Sequence, residues 1–388
     1  MSLYVHFGAG NIGRALAGPI FNRAGYKVVF VDAFPPVVDA LHHRGEYRIV
    51  VKDEGGENDN REIVVSGVDA VAVGDCDALK DLVVKADLVG TAVGSAHIES
   101  VLKSMVPGIL ARNGRPLSII FCENFNGVAE FARAAFKKWL PQLAVDEMIG
   151  FVETSIGKMV PLMPKELRDT DPLLVWAEAY NQIIADRRGF VGDIPDGIEG
   201  LVLKDCFQAY VERKLFIHNL GHATCACYGF LNGYQLISEA IADECIAAHT
   251  RALMMECAAA LIQRWPTEFN VVNQHEHVED LIRRFGNRAL GDTVYRVGRD
   301  LFRKLAPNDR FIGALRLIQS VSGDCSLIYK AIAAALCFKG LDNEGNLFPA
   351  DAEFHDQLEL DGVDYLLQSH CGLNTAECRE VARYYNES

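Results

Sequence analysis

Leu3-Tyr4-Val5-His6-Phe7-Gly8-Ala9-Gly10-Asn11-Ile12-Gly13 opens the chain on an apolar run that breaks into three spaced glycines, and Lys27-Val28-Val29-Phe30-Val31-Asp32 follows. Leu3–Phe7 reads as a strand, Asn11–Ala24 as a helix ending at Gly25, and Lys27–Val31 as a second strand. A glycine-rich turn alone is a weak signal, and a glycine turn in an α/β protein that binds no nucleotide is the rival reading. The context makes this one specific. A strand precedes it, a helix follows, and Asp32 ends the next strand 19 residues after Gly13. Gly8 allows the tight turn, Gly10 lets backbone approach a pyrophosphate, and Gly13 lets helix and strand pack closely. Asn11 and Ile12 open the helix, whose free N–H groups and positive dipole end favour phosphate. Asp32 can accept from ribose hydroxyls and would repel a 2′-phosphate, so the expected cofactor is NAD rather than NADP. Thr91-Ala92-Val93-Gly94 supplies small residues at a later strand end, and Val93 and Gly94 are candidate nicotinamide-ribose contacts; a plain strand end is the equal alternative.

Working outward, the alternation continues. A short helix is expected at Pro36–His42, strands at Asp87–Gly90, Ser118–Phe121 and Met148–Val152, and helices at Ala96–Arg112 and Val128–Trp139. This alternation predicts a doubly wound parallel sheet covered on both faces. The polar run 52–62 (KDEGGENDNRE) suggests a hairpin or an exposed excursion. Arg187–Gly200, loaded with Gly, Pro and Asp, suggests the domain boundary, giving a Rossmann-type NAD-binding domain over 1–195 and a mostly helical substrate domain over 196–388. Helices are expected at Asp205–Gly221, Tyr234–Trp265, Val278–Phe285 and Ser326–Cys337.

At 388 residues, two domains are the natural expectation, and with half the residues apolar there is ample core material. The formal net charge of -14 argues against nucleic acid or an anionic membrane as partner and leaves a small-molecule substrate. Eleven scattered cysteines without a CxxC pair read as reduced thiols, as in a cytoplasmic protein. The N-terminus carries no secretory pattern, and no apolar run approaches the ~18 residues of a membrane span.

The catalytic candidates lie in Val211-Glu212-Arg213-Lys214-Leu215-Phe216-Ile217-His218-Asn219-Leu220-Gly221-His222. At roughly 100° per helical residue, Lys214, Asn219 and His222 fall within an arc of roughly 140°. Hydride transfer from an alcohol needs a base for the hydroxyl proton and donors for the developing alkoxide. A desolvated lysine can be that base, and Asn219 and His222 can polarise the oxygen. From spacing alone, a surface lysine and a satisfied core histidine are the better reading.

The Lys-x4-Asn-x2-His spacing resembles the signature of the polyol-specific long-chain dehydrogenases. HFGAGNIGR, Cys122-Glu123-Asn124, the 212–224 stretch and RVGRDLFRKLAPNDRF at 296–311 carry the same resemblance across most of the chain. It implies a Rossmann plus helical architecture, NAD chemistry without a metal, Lys214 as general base, Asn219 and His222 on the reacting oxygen, and Asn124 lining the substrate pocket. The run Gly157-Lys158-Met159-Val160-Pro161 departs from the family's DRIVP pattern, with Gly157 where an Asp is usual. Arg296, Arg299, Arg303, Lys304 and Arg310 concentrate positive charge in an acidic chain. The resemblance to the family's sugar-phosphate branch includes them, so a phosphorylated substrate is expected, with Arg303 and Arg310 as contacts. Pairing with Asp300 and Asp309 is the alternative, as are a free polyol or hexuronate substrate, or an NAD(H) sensor without chemistry. His275-Glu276-His277 reads as a solvated turn, Cys225 and Cys227 as buried thiols, and Glu178 as a packing or surface residue.

Overall fold

Leu3–Phe7 forms β1, with Tyr4, Val5 and Phe7 buried, and its neighbours are equally apolar because both faces of the sheet are covered. The computed structural model describes residues 2–53, 61–125, 127–161 and 163–387. In chain order the further strands are β2 (Lys27–Asp32), β3 (Glu46–Val51), β4 (Arg61–Ser66), β5 (Val68–Ala72), β6 (Leu88–Thr91), β7 (Leu117–Phe121), β8 (Ile149–Ile156), β9 (Val175–Ala177), β10 (Ile183–Asp186) and β11 (Leu201–Lys204). The order β5-β2-β1-β6-β7-β8 is parallel throughout. This is the doubly wound order, whose direction of winding reverses beside β1. Successive residues of β1 serve opposite faces. Tyr4 packs with Leu16, Ile20, Phe21 and Phe30, while Val5 and Phe7 pack with Val31, Val89, Leu102 and Phe121.

β3 and β4 pair antiparallel on either side of the polar run, in register from Glu46↔Ser66 to Val51↔Arg61; residues 54–60, where the turn was expected, lie outside the described residues. β9 joins β3 in parallel. β10 adds to β8 antiparallel, and β11 pairs parallel with β10. Arg187–Gly200 is therefore the connection between two strands of one sheet. The compact units are Met1–Phe207 and Gln208–Ser388, so the junction lies downstream of the expected 195/196 boundary.

The second unit is built from helices. The expected single helix over Tyr234–Trp265 is two, Ile237–Ala242 and Glu244–Arg264, because Asp243 is extended and its carboxylate caps Cys245 N and Ile246 N at 2.9 and 3.0 Å. The expected Val278–Phe285 helix begins earlier, at Val271, where Asn270 and Asn273 form a reciprocal cap. His275 and His277 consequently stand on a helix and not in a turn. Contrary to the sequence expectation, Glu244–Arg264 is long and apolar enough, by length and composition, to cross a bilayer. It packs as a core helix, burying Ile246, Leu253, Met254, Cys257 and Leu261 against neighbouring helices.

Candidate active site

The glycine turn leaves β1 at its carboxyl end, between β2 and β6. Gly8 takes a φ of +99° and donates its N–H to Val31 O at 2.8 Å; a Cβ there would stand 2.3 Å from Ala92 O. A Cβ on Gly13 would stand 2.1 Å from Gly8 O, so only glycine lets helix and turn approach this closely. Gly10 differs, because a Cβ there meets nothing within 4 Å among the described residues. Its glycine is not required by protein packing, and the open space fits a pyrophosphate pressed against the backbone. Asn11 and Ile12 begin the helix, which widens to an i→i+5 turn over Gly13–Ala17 and continues as Gly18–Arg23.

Asp32 ends β2 with each carboxylate oxygen engaged: Oδ2 accepts from Ala9 N at 2.7 Å and Oδ1 from Phe34 N at 2.9 Å. The bonds fix its position and leave further lone pairs for hydroxyl donors. Beneath the turn, the buried Arg14 donates Nε–H to Ala9 O at 2.6 Å and Nη1–H to Pro172 O at 2.9 Å. Val93 and Gly94 stand at the end of β6 as expected, but their amides are occupied. They donate to Glu123 Oε1 and Oε2, each at 2.9 Å. Asn124 follows in the loop after β7 and is exposed. The carboxylate beside it carries the visible structural role, one the sequence reading did not assign.

In the helical unit, Lys214–Asn219 is an i→i+5 turn inserted between the α-helices Phe207–Arg213 and Leu220–Leu231. The regular-helix arc of roughly 140° therefore does not describe this site. Lys214 and Asn219 are five residues apart, the first and last residues of that turn. Both are partly buried, as is His222 one turn on. Burial, with the nearby Arg310 guanidinium adding to it, pushes the Lys214 amine down to about 8.

The His222 ring stacks on Phe285, centroids 4.7 Å apart and planes 8° from parallel. Its Nε2 lies 3.2 Å from Asp292 Oδ2, at ion-pair distance though outside hydrogen-bond alignment. Burial would raise the Asp292 carboxyl, but His222 and Arg296 outweigh it and hold it below the usual range. Arg296 reaches Asp292 Oδ1 through Nε at 2.7 Å and Nη2 at 2.6 Å. On the helix's inner side, burial, with Arg284 and then His222, pushes the His218 imidazole well below its ordinary value. His277 Nε2 is buried and orphaned on the helix that carries Phe285.

The basic segment is largely engaged. Arg303 pairs with Asp300 and approaches Asp309 at 3.8 Å, and Arg310 pairs with Asp309 at 2.7 Å. Arg299 lies over Tyr295 and Phe348, and Arg296 is on Asp292. Lys304 is buried, donating to Arg299 O, and burial with Arg310 beside it lowers its amine to about 7. Arg310 thus adds its positive charge to the surroundings of both Lys214 and Lys304. Cys225 and Cys227 are buried thiols, and Glu178 is buried with Oε1 accepting from Met159 N. Among the described residues no group of three His, Cys, Asp or Glu is placed to hold a metal ion.

Solved structures share this fold. A substrate-free D-sorbitol dehydrogenase is similar at a TM-score of 0.81 and 19% identity, covering 99% of this chain and 92% of that one. Mannitol 2-dehydrogenase of Pseudomonas fluorescens, in a ternary complex with NAD and D-mannitol, is similar at a TM-score of 0.72 and 17% identity, covering 99% and 90%. The model of the mannitol dehydrogenase Rossmann domain matches residues 2–197, and that of the mannitol dehydrogenase C-terminal domain matches 207–368. Together they span most of both units, and the chain belongs to the mannitol dehydrogenase family.

Proposed function

We propose that the protein interconverts mannitol 1-phosphate and fructose 6-phosphate, with NAD(H) as cofactor and Lys214 as general acid/base. The carrying observation is the desolvated Lys214 amine, lowered to about 8 on an i→i+5 turn that also carries Asn219. Bound NAD⁺ supplies the acceptor for the hydride that leaves C5. Neutral Lys214 takes the C5 hydroxyl proton, and in reduction the protonated amine returns it. Asn219 polarises the reacting oxygen as charge develops on it, and His222 positions the hydroxyl that carries it. Gly8, Gly10 and Gly13 with the helix start at Asn11 and Ile12 cradle the pyrophosphate, and Asp32 takes the ribose hydroxyls.

Arg310, next to Lys214 and Lys304, is the favoured phosphate contact, with Arg303 further out. A second reading, an unphosphorylated polyol or a hexuronate, is favoured by the pairing of both arginines with Asp300 and Asp309 and by Gly157 in the departing GKMVP run. Oxidation of NADH is followed with fructose 6-phosphate beside fructose, tagaturonate and fructuronate at equal concentration. Turnover of the phosphate alone supports the first reading. Turnover of an unphosphorylated sugar or hexuronate instead moves the enzyme to the second and keeps the lysine mechanism. NADH binding with no turnover on any of them would overturn both.

A further inference from the structure

His222 is defined by what surrounds it as much as by its place on the helix. One face of its ring is stacked on Phe285, which restricts rotation about the side-chain bonds. Nε2 and Asp292 Oδ2 are both buried, neither has another hydrogen-bond partner among the described residues, and they lie 3.2 Å apart. At that distance one proton on Nε2 would satisfy both atoms once the pair is aligned. Asp292 is itself anchored, because Oδ1 receives Nε and Nη2 of Arg296, one helical turn on. Asp292 stands just ahead of Thr293, whose hydroxyl caps Arg296 N and fixes the short helix Val294–Gly298. The chain Arg296–Asp292–His222 therefore runs from a capped helix to the ring, with each link restrained.

We propose that Asp292 is a positioning residue of this site: it holds the proton on His222 Nε2 and thereby makes Nδ1 the acceptor that His222 offers to the hydroxyl of the reacting carbon. A neutral imidazole has one donor and one acceptor nitrogen, so fixing the proton on one determines what the other can do. The carboxylate acts through the ring and touches no reactant. The other titratable or charged groups facing the ring are His218, whose centroid is 6.2 Å away, and Arg296 beyond Asp292; Arg284, His277 and Lys214 face His218 in turn.

This inference rests on the reading of His222 as a residue of the active site, and the two can fail separately. His222→Ala tests the reading, since an active variant would remove it. The proposal is tested by a double-mutant cycle with Asp292→Asn, measured with whichever sugar the wild type turns over. In the wild-type background the substitution is expected to lower kcat by ~10–100-fold and to change the Kd for NADH by less than ~3-fold. Placed on His222→Ala it is expected to cost nothing further, because its effect passes through the missing ring. Asp292→Glu is expected to recover part of the loss. Losses that multiply in the double variant would overturn the proposal, as would an Asp292→Asn enzyme with unchanged kcat. If both Asp292 variants fail to fold, ¹⁵N NMR of the wild-type histidines decides. The Nε2–H tautomer at His222 supports the assignment, and the Nδ1–H tautomer overturns it.

Discussion

With Lys214 as the proposed general base, the pH dependence of the reaction is calculable. An exposed lysine titrates near 10.5, and here burial, with Arg310 adding to it, brings the amine to about 8. At about 1.4 kcal/mol per unit, the site favours the neutral amine by roughly 3 kcal/mol over the same group in water. At pH 7 about one enzyme in ten then carries a neutral base, against about one in three thousand for an unperturbed lysine. Alcohol oxidation needs that neutral form. Its kcat/KM is therefore expected to rise about tenfold per pH unit below pH ~8 and to level off above it. Ketone reduction needs the protonated form, so its profile should be level below pH ~8 and fall above. The assay is initial rates in both directions from pH 6 to 10. A substrate deuterated at the reacting carbon confirms that hydride transfer is being measured. Arg310→Gln removes the second cause of the shift and leaves burial, so the midpoint should move upward while staying below 10.5. An oxidation profile flat across the whole range would refute the assignment of Lys214, and a midpoint unmoved in Arg310→Gln would refute the electrostatic part of it.

Lys214→Ala is expected to lower kcat by ~10²–10⁴-fold while NADH still binds, measured by calorimetry; loss of NADH binding would place the lysine in the cofactor site instead. Gly10→Ala should leave the urea midpoint unchanged and raise the Kd for NADH more than ~10-fold, since the added Cβ meets no atom of the described residues within 4 Å. Gly13→Ala should do the reverse first, destabilising the protein by ~1–3 kcal/mol in urea because its Cβ would stand 2.1 Å from Gly8 O. Glu123→Ala removes the acceptor of two backbone amides and is expected to cost ~1–3 kcal/mol of stability, with NADH affinity tested beside it. An unchanged urea midpoint there would show that water replaces the carboxylate.

What could be read from the sequence, and what could not, divides by the distance over which each signal acts. The glycine turn was legible because backbone geometry imposes it locally: Gly8 sits at φ +99° and Gly13 has no room for a Cβ. The parallel sheet was legible because strand–helix alternation leaves few connections open. The edge strands were not. A run such as Arg187–Gly200 has a linker's composition whether it joins two domains or, as here, β10 to β11. Arg303 and Arg310 stood out as positive charge on a count along the chain, yet Asp300 and Asp309 lie in the same segment and the fold turns them onto those guanidinium groups. The helix of Lys214 misled in its geometry, because a period of 3.6 cannot register an inserted i→i+5 turn over Lys214–Asn219. Asp292 shows the same limit most sharply. It lies 70 residues beyond His222 in the chain, and no periodicity links them. Only the fold brings the second carboxylate oxygen of Asp292 to the Nε2 of His222, so groups that hold a site residue in place emerge from structure even where the residue itself is plain in the sequence.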